Sequence, residues 1–282
     1  RLLRAPETEL VACRINHHPA RSWALARRLI LLTRGPGAPP LVVLDFEDED
    51  FVNAAHRPLL EAAALVFKRE LPVDRWRLLR PVCDRSIEEA PRRADPAARA
   101  LLEKFRPLAL GLPLRESRHA IPAGPVPKTA DLFFAGAVAG QAWPRETGRA
   151  ELEGLRLDLP AERLEPASFY RRCAASWLTW TPAGIGWDCF RHYEAAACGS
   201  VPLMPYPWIE RQDPLVDGEH AILYDPRPGG LAAALRAALA DRRRLARMAE
   251  GARAQAWAHH RPEAIAARIV RLALGEAGAG IS

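Results

Sequence analysis

Short apolar runs alternate with stretches of helical spacing along almost the whole chain, and this alternation limits the fold more than any other feature. Runs such as Leu41 to Phe46 (LVVLDF), Leu65 to Phe67, Asp131 to Ala135, Arg156 to Leu159, Trp177 to Thr181, Val201 to Met204 and Ala221 to Tyr224 have the length of strands. Helical spacing is expected over about 58–64, 84–105, 145–155, 166–174 and 188–197, and again over 230–273, which is rich in Ala, Leu and Arg. Strand followed by helix followed by strand implies a mostly parallel sheet, because parallel neighbours need a crossover long enough to hold a helix. The expected class is α/β. Gly199 should end the helix at 188–197, since glycine takes left-handed backbone past a last turn without strain.

A chain of 282 residues suits two domains of ordinary size. Prolines and glycines gather at 107–127, where periodic residues are few, so the linker is expected there. The two domains are accordingly drawn as 1–120 and 121–282. The chain opens at Arg1, so the first domain is expected to lack residues at its start.

The 40 basic and 34 acidic residues leave a charge of +6. Five of those charges fall before Pro127, a density too low for a stripe that tracks phosphates, so specific nucleic-acid binding is not expected. Peripheral contact with an anionic membrane surface is the one membrane role the charge leaves open. No run approaches the roughly 20 uncharged apolar residues that cross a bilayer; Leu29 to Leu32 is flanked by Arg27, Arg28 and Arg34. Five cysteines without a CxxC pair argue against a disulfide framework or a zinc site, and the adjacent pairs His17-His18 and His259-His260 splay apart rather than converge on a metal. A cytoplasmic protein with no metal and no cofactor is expected.

The stretch Thr181 to Asp225 carries the chemistry. It reads as strand, glycine loop, helix, strand and a proline-rich return to another strand. In an open parallel sheet such loops leave the carboxyl ends of the strands, where ligands bind. Gly184 and Gly186 precede a helix whose amides and dipole suit phosphate. Within that helix Phe190, Tyr193 and Ala197 share an inward stripe. Arg191 and Glu194 are neighbours on another face, either as an exposed ion pair or with Glu194 bridging the two hydroxyls of a ribose. Trp180, Trp187 and Trp208 lie in or beside the same loops, where a ring could stack on a base or sugar, although packing in the core is the expected fate of at least one.

The run Arg191-His192-Tyr193-Glu194-Ala195-Ala196-Ala197-Cys198-Gly199-Ser200-Val201-Pro202-Leu203 resembles the donor-binding helix and strand of GT-B glycosyltransferases, especially the exostosin-like and related bacterial branches. Asp217-Gly218 and Ala221 to Tyr224 are similar to the turn and strand that follow there. The likeness covers roughly 128–268, with a fainter echo in Leu41 to Asp50 and in Phe67 to Glu70. It implies two Rossmann-like domains, with parallel sheets flanked by helices. The activity it implies is transfer of a hexosyl or related group from a UDP- or GDP-sugar to a glycan, protein or small-molecule acceptor, without metal. A non-catalytic module that binds a nucleotide sugar or glycan is the alternative.

The resemblance carries Glu194 over as the ribose contact. Many retaining members hold a second glutamate eight positions earlier, and here that position is Gly186. Glu210 is the carboxylate expected to take a related role near the sugar. Phe133 to Gly136 followed by Arg145 is similar to the strand and basic loop that meet the donor diphosphate, a task suited to the guanidinium fork. If transfer inverts, it needs a general base on the acceptor side. Asp45 and Asp48, at the carboxyl end of a strand, are the choices, with His17 and His18 as alternatives.

Overall fold

Two separate parallel sheets organise the chain in the computed structural model, which describes residues 8–15, 21–80, 93, 95–114, 116–136, 148, 150–152, 156–160 and 162–279. The chain divides into two compact units. Unit 1 holds 1–109, 208–212 and 266–282, and unit 2 holds 110–207 and 213–265. The boundary therefore falls eleven residues before the expected one, and unit 1 takes two further pieces from the second half. The reason is local bonding: Leu110 N–H donates to Asp188 Oδ2 at 2.8 Å and Leu112 N–H to the His260 carbonyl at 2.7 Å, which ties the start of the proline-rich stretch to unit 2.

Unit 1 is built on β1 (Val11–Ile15), β2 (Leu41–Asp45), β3 (Leu65–Lys68) and β4 (Phe105–Pro107), in that spatial order and all parallel. Between them run α1 (Arg21–Leu32), α2 (Arg57–Ala62) and α3 (Pro96–Glu103). The helix expected over 84–105 is confined, among the described residues, to α3. Asp95 caps it by accepting from Ala97 N–H at 2.9 Å with proline at the first helical position, and fully buried Phe105 has already joined the sheet. β2 and β3 are near-continuous apolar runs, as expected of strands covered on both faces.

Unit 2 contains β5 (Ala130–Phe133), β6 (Leu157–Asp158), β7 (Ser176–Trp180), β8 (Val201–Pro205) and β9 (Ile222–Tyr224) in the order β6-β5-β7-β8-β9, all parallel. Its described helices are α4 (Pro166–Ala174), α5 (Phe190–Ala197), α6 (Gly230–Leu239) and α7 (Arg242–His259), and α8 (Pro262–Ala279) runs from unit 2 into unit 1. The strand order reverses between β5 and β7. That is a topological switch point, and the crevice at the carboxyl ends of these two strands is where such sheets bind ligands. Most of the helix expected over 145–155 lies outside the described residues. No helix of the described residues is long and apolar enough to cross a membrane.

Two devices set the pose of α5. Gly199, at φ +71°, closes its end: Gly199 N–H reaches the Ala196 carbonyl at 2.9 Å and Ser200 N–H reaches Ala195 at 3.0 Å. At the same end Lys128 Nζ donates to the carbonyls of Ala174, Ser176 and Gly199 at 2.7, 3.0 and 2.6 Å, joining the last turns of α4 and α5 through one cation. Burial lowers the pKa of that ammonium to about 8.

Candidate functional site

The head of α5 lies beside the switch point. Cys189 precedes it in extended backbone, at the end of the loop that leaves β7 after Trp180. Arg191, in the first turn, extends toward the end of β5. Its guanidinium lies 5.7 Å from the centroid of the Phe134 ring, which is packed on Trp180 at 4.6 Å. Where Gly136 lacks a side chain, a Cβ would stand 3.2 Å from Arg191 Nη2. Nη1 of Arg191 is buried and has no hydrogen-bond partner among the described residues. A cation at the positive end of a helix is electrostatically unfavourable, and a buried N–H without an acceptor adds to the cost. An anion in the crevice relieves both.

Arg191 and Glu194 do not pair with one another among the described residues. Glu194 accepts a hydrogen bond from the hydroxyl of Tyr170 on α4, at 2.8 Å. The exposed ion pair allowed by their three-residue spacing is therefore not what the helix forms. The inward stripe also differs from expectation. Tyr193 and Ala197 are buried as expected, but Phe190 is 43% exposed, and His192 takes an inward place instead. Phe190 is the first residue of the helix, and packing against the sheet begins only after it.

The loop before α5 is fixed from within. His192 Nε2–H donates to the Trp187 carbonyl at 2.9 Å, and its Nδ1 lies 2.9 Å from Thr181 Oγ1. Trp187 Nε1–H donates to the Pro205 carbonyl at 3.1 Å. Gly184 N–H donates to the Gly186 carbonyl at 2.9 Å, so its amide closes the loop instead of facing a phosphate. Neither Gly184 nor Gly186 is among the described glycines with positive φ. The expected role is thus corrected for Gly184 alone, whose N–H is already bonded within the loop. Burial pushes the Cys189 thiol up, and the Arg191 cation opposes that shift.

Of the three tryptophans, Trp180 is wholly buried, with Nε1–H bonded to Tyr224 Oη at 3.0 Å, and Trp187 is 2% exposed. Both pack in the core, whereas Trp208 belongs to unit 1. Glu210 belongs there too, gripped by Arg75 through Nε–Oε1 at 2.6 Å and Nη2–Oε2 at 2.8 Å. Arg145, His17 and His18 lie outside the described residues.

In unit 1 the acidic run follows β2. Asp45 is fully buried, with Oδ2 3.0 Å from Lys68 Nζ and Oδ1 accepting from Glu47 N–H at 2.9 Å. Burial raises its pKa against the pull of Lys68. So enclosed, Asp45 has no face open to an acceptor, and the structure gives it a packing role instead of that of a base. Asp48 pairs with Arg69 but keeps a side chain 39% exposed. Glu47 pairs with His56 at 3.3 Å, both buried. Among the described residues no three His, Cys, Asp or Glu side chains cluster as metal ligands do.

Two participants escaped the sequence reading. Tyr170 meets Glu194 across 24 positions, and no local spacing signals such a bond. Lys68 follows three apolar strand residues as if leaving the sheet, yet it is wholly buried.

The sequence family described as glycosyl transferase-like matches residues 126–271. No curated protein matches the sequence. Solved structures share its fold at low identity. Sucrose-phosphate synthase from Thermosynechococcus elongatus is 14% identical over 96% of this chain and 74% of that one, with a TM-score of 0.56. A glycosyltransferase from Rickettsia africae is 10% identical, with 95% and 76% covered and a TM-score of 0.58. HepE from Anabaena, in complex with UDP and glucose, is 14% identical, with 93% and 77% covered and a TM-score of 0.52.

Proposed function

The chain belongs to the glycosyl transferase-like family and has the two Rossmann-like units of the GT-B fold, and from that premise we propose how it holds its donor. It is a glycosyltransferase that uses a nucleotide-activated sugar. The diphosphate lies at the head of α5, between the first helical amides and Arg191, and Glu194 accepts from the ribose hydroxyls. The observation that carries this reading is Arg191 Nη1, buried with no acceptor among the described residues at the switch point of the sheet. Arg145, in the segment that follows β5, is proposed as a second cation for the diphosphate.

A UDP- or GDP-sugar is the proposed donor, and the complex of HepE with UDP and glucose supports a uridine nucleotide. Because Arg191 and the helix dipole neutralise the diphosphate, no divalent ion is needed. The acceptor, a glycan, protein or small molecule, falls to unit 1. If transfer inverts, Asp48 is the proposed base, since Asp45 is enclosed. A cytoplasmic site is proposed from the cysteine usage, and contact with an anionic membrane surface rests on the net charge alone.

The test is turnover across a panel of UDP- and GDP-sugars, read as release of nucleoside diphosphate. Release from one donor, lost in Arg191→Met, supports the reading. Release undiminished in that variant sinks the assigned phosphate site.

A further inference from the structure

Tyr170 stands out as a buried polar group aimed at the site from a different helix. It is 2% exposed and donates its hydroxyl to Glu194 Oε1 at 2.8 Å. Its ring meets Phe169 edge-on at 5.4 Å, and Phe169 meets Phe133 of β5 edge-on at 5.3 Å. The ring is therefore held by the sheet and cannot follow a moving glutamate. One turn further along, Lys128 ties the ends of α4 and α5 together, which fixes the spacing between the helix that gives the hydroxyl and the helix that carries the carboxylate.

A glutamate side chain has several rotamers, and ordering it on ligand binding costs free energy. A fixed donor on one oxygen selects the rotamer in advance. A carboxylate has about four lone-pair sites, of which the phenol hydroxyl takes one. We propose that Tyr170 is a positioning residue for donor recognition: it sets the plane of the Glu194 carboxylate so that Glu194 meets both ribose hydroxyls. This rests on the reading of Glu194 as the ribose contact. It makes preference for ribose over a sugar lacking those hydroxyls a joint property of α4 and α5.

The experiment is calorimetric titration of UDP, GDP and their 2′,3′-dideoxy counterparts into the wild type, Tyr170→Phe, Glu194→Gln and the double variant. Loss of one hydrogen bond should weaken the ribonucleotide roughly five-fold in Tyr170→Phe. The dideoxy ligand should bind that variant as it binds the wild type, and the double variant should be no weaker than Glu194→Gln. The dideoxy ligand also reports on the fold, because a disturbed site would lose it as well. Equal losses for both ligands, or no loss for either, would overturn the role of Tyr170. If Glu194→Gln narrows the preference for ribose and Tyr170→Phe does not, only the positioning role fails. If Glu194→Gln leaves that preference intact, the ribose assignment fails and this inference with it.

Discussion

Arg191 rests against the ring of Phe134, 5.7 Å from its centroid, and in doing so places a guanidinium from the helix after β7 over the end of β5. The contact bridges the two strands between which the sheet reverses its order. Arg191 thereby gives up the easy partner on its own helix, Glu194, which bonds to Tyr170 instead.

Gly136 is where this arrangement is easiest to disturb. A Cβ there would stand 3.2 Å from Arg191 Nη2 and 3.2 Å from Phe134 Cζ, too close for either to stay in place. Gly136→Ala should lower affinity for a nucleoside diphosphate several-fold and shift the urea midpoint little, since Arg191 can swing outward. Unchanged affinity in calorimetry would show that Arg191 does not act from this position.

Lys68 and Asp45 form a fully buried ion pair in unit 1, 3.0 Å apart. Removing one partner leaves the other charge buried, a change that costs about 3 to 5 kcal/mol. Lys68→Met should lose stability on that scale in urea denaturation, and adding Asp45→Leu should restore much of it. A single variant as stable as the wild type would contradict the pairing.

His260 makes stability depend on pH. Burial holds its pKa down to about 4, against 6.5 in the unfolded chain. Above 6.5 neither state binds the proton and stability is full. Between 6.5 and 4 the unfolded chain takes up a proton that the native state refuses, so stability falls on acidification, by at most roughly 3 kcal/mol, and levels off below 4. His260→Gln keeps an N–H for the Asp213 carbonyl without titrating, so its melting temperature should fall less between pH 7.5 and 5 (about two points chosen to span the window). Identical slopes would show that His260 is not responsible.

Chelation tests the charge balance at the proposed diphosphate site. With Arg191 and the helix head supplying positive potential, transfer should be unchanged in EDTA. Activity abolished by EDTA and restored by magnesium or manganese would require a metal that this account does not include.

The sequence exposed the elements of unit 2 because their boundary signals are local. Pro166 opens α4 at the expected residue, and Gly199 closes α5 where left-handed backbone is needed. The places of Arg191 and Glu194 on one helix were legible from their spacing. Their partners were not, because Tyr170 and Phe134 reach them only through packing against the sheet. The role of Gly184 was misread for a related reason: glycine frees the backbone, but where its N–H goes depends on the folded loop. Lys68 and Glu210 show the same limit, since nothing near either in sequence announces the carboxylate or guanidinium that each meets across many residues.

The most direct measurement is calorimetric titration of UDP and GDP into the wild type and Arg191→Met, with a thermal melt of each. Removing a cation from the head of α5 should leave stability unchanged or raise it by up to about 1 kcal/mol. Losing a charged donor to phosphate, worth about 1.5 to 3 kcal/mol, should weaken binding roughly ten- to a hundred-fold. A variant that is as stable as the parent and binds nucleoside diphosphate equally well would contradict the account.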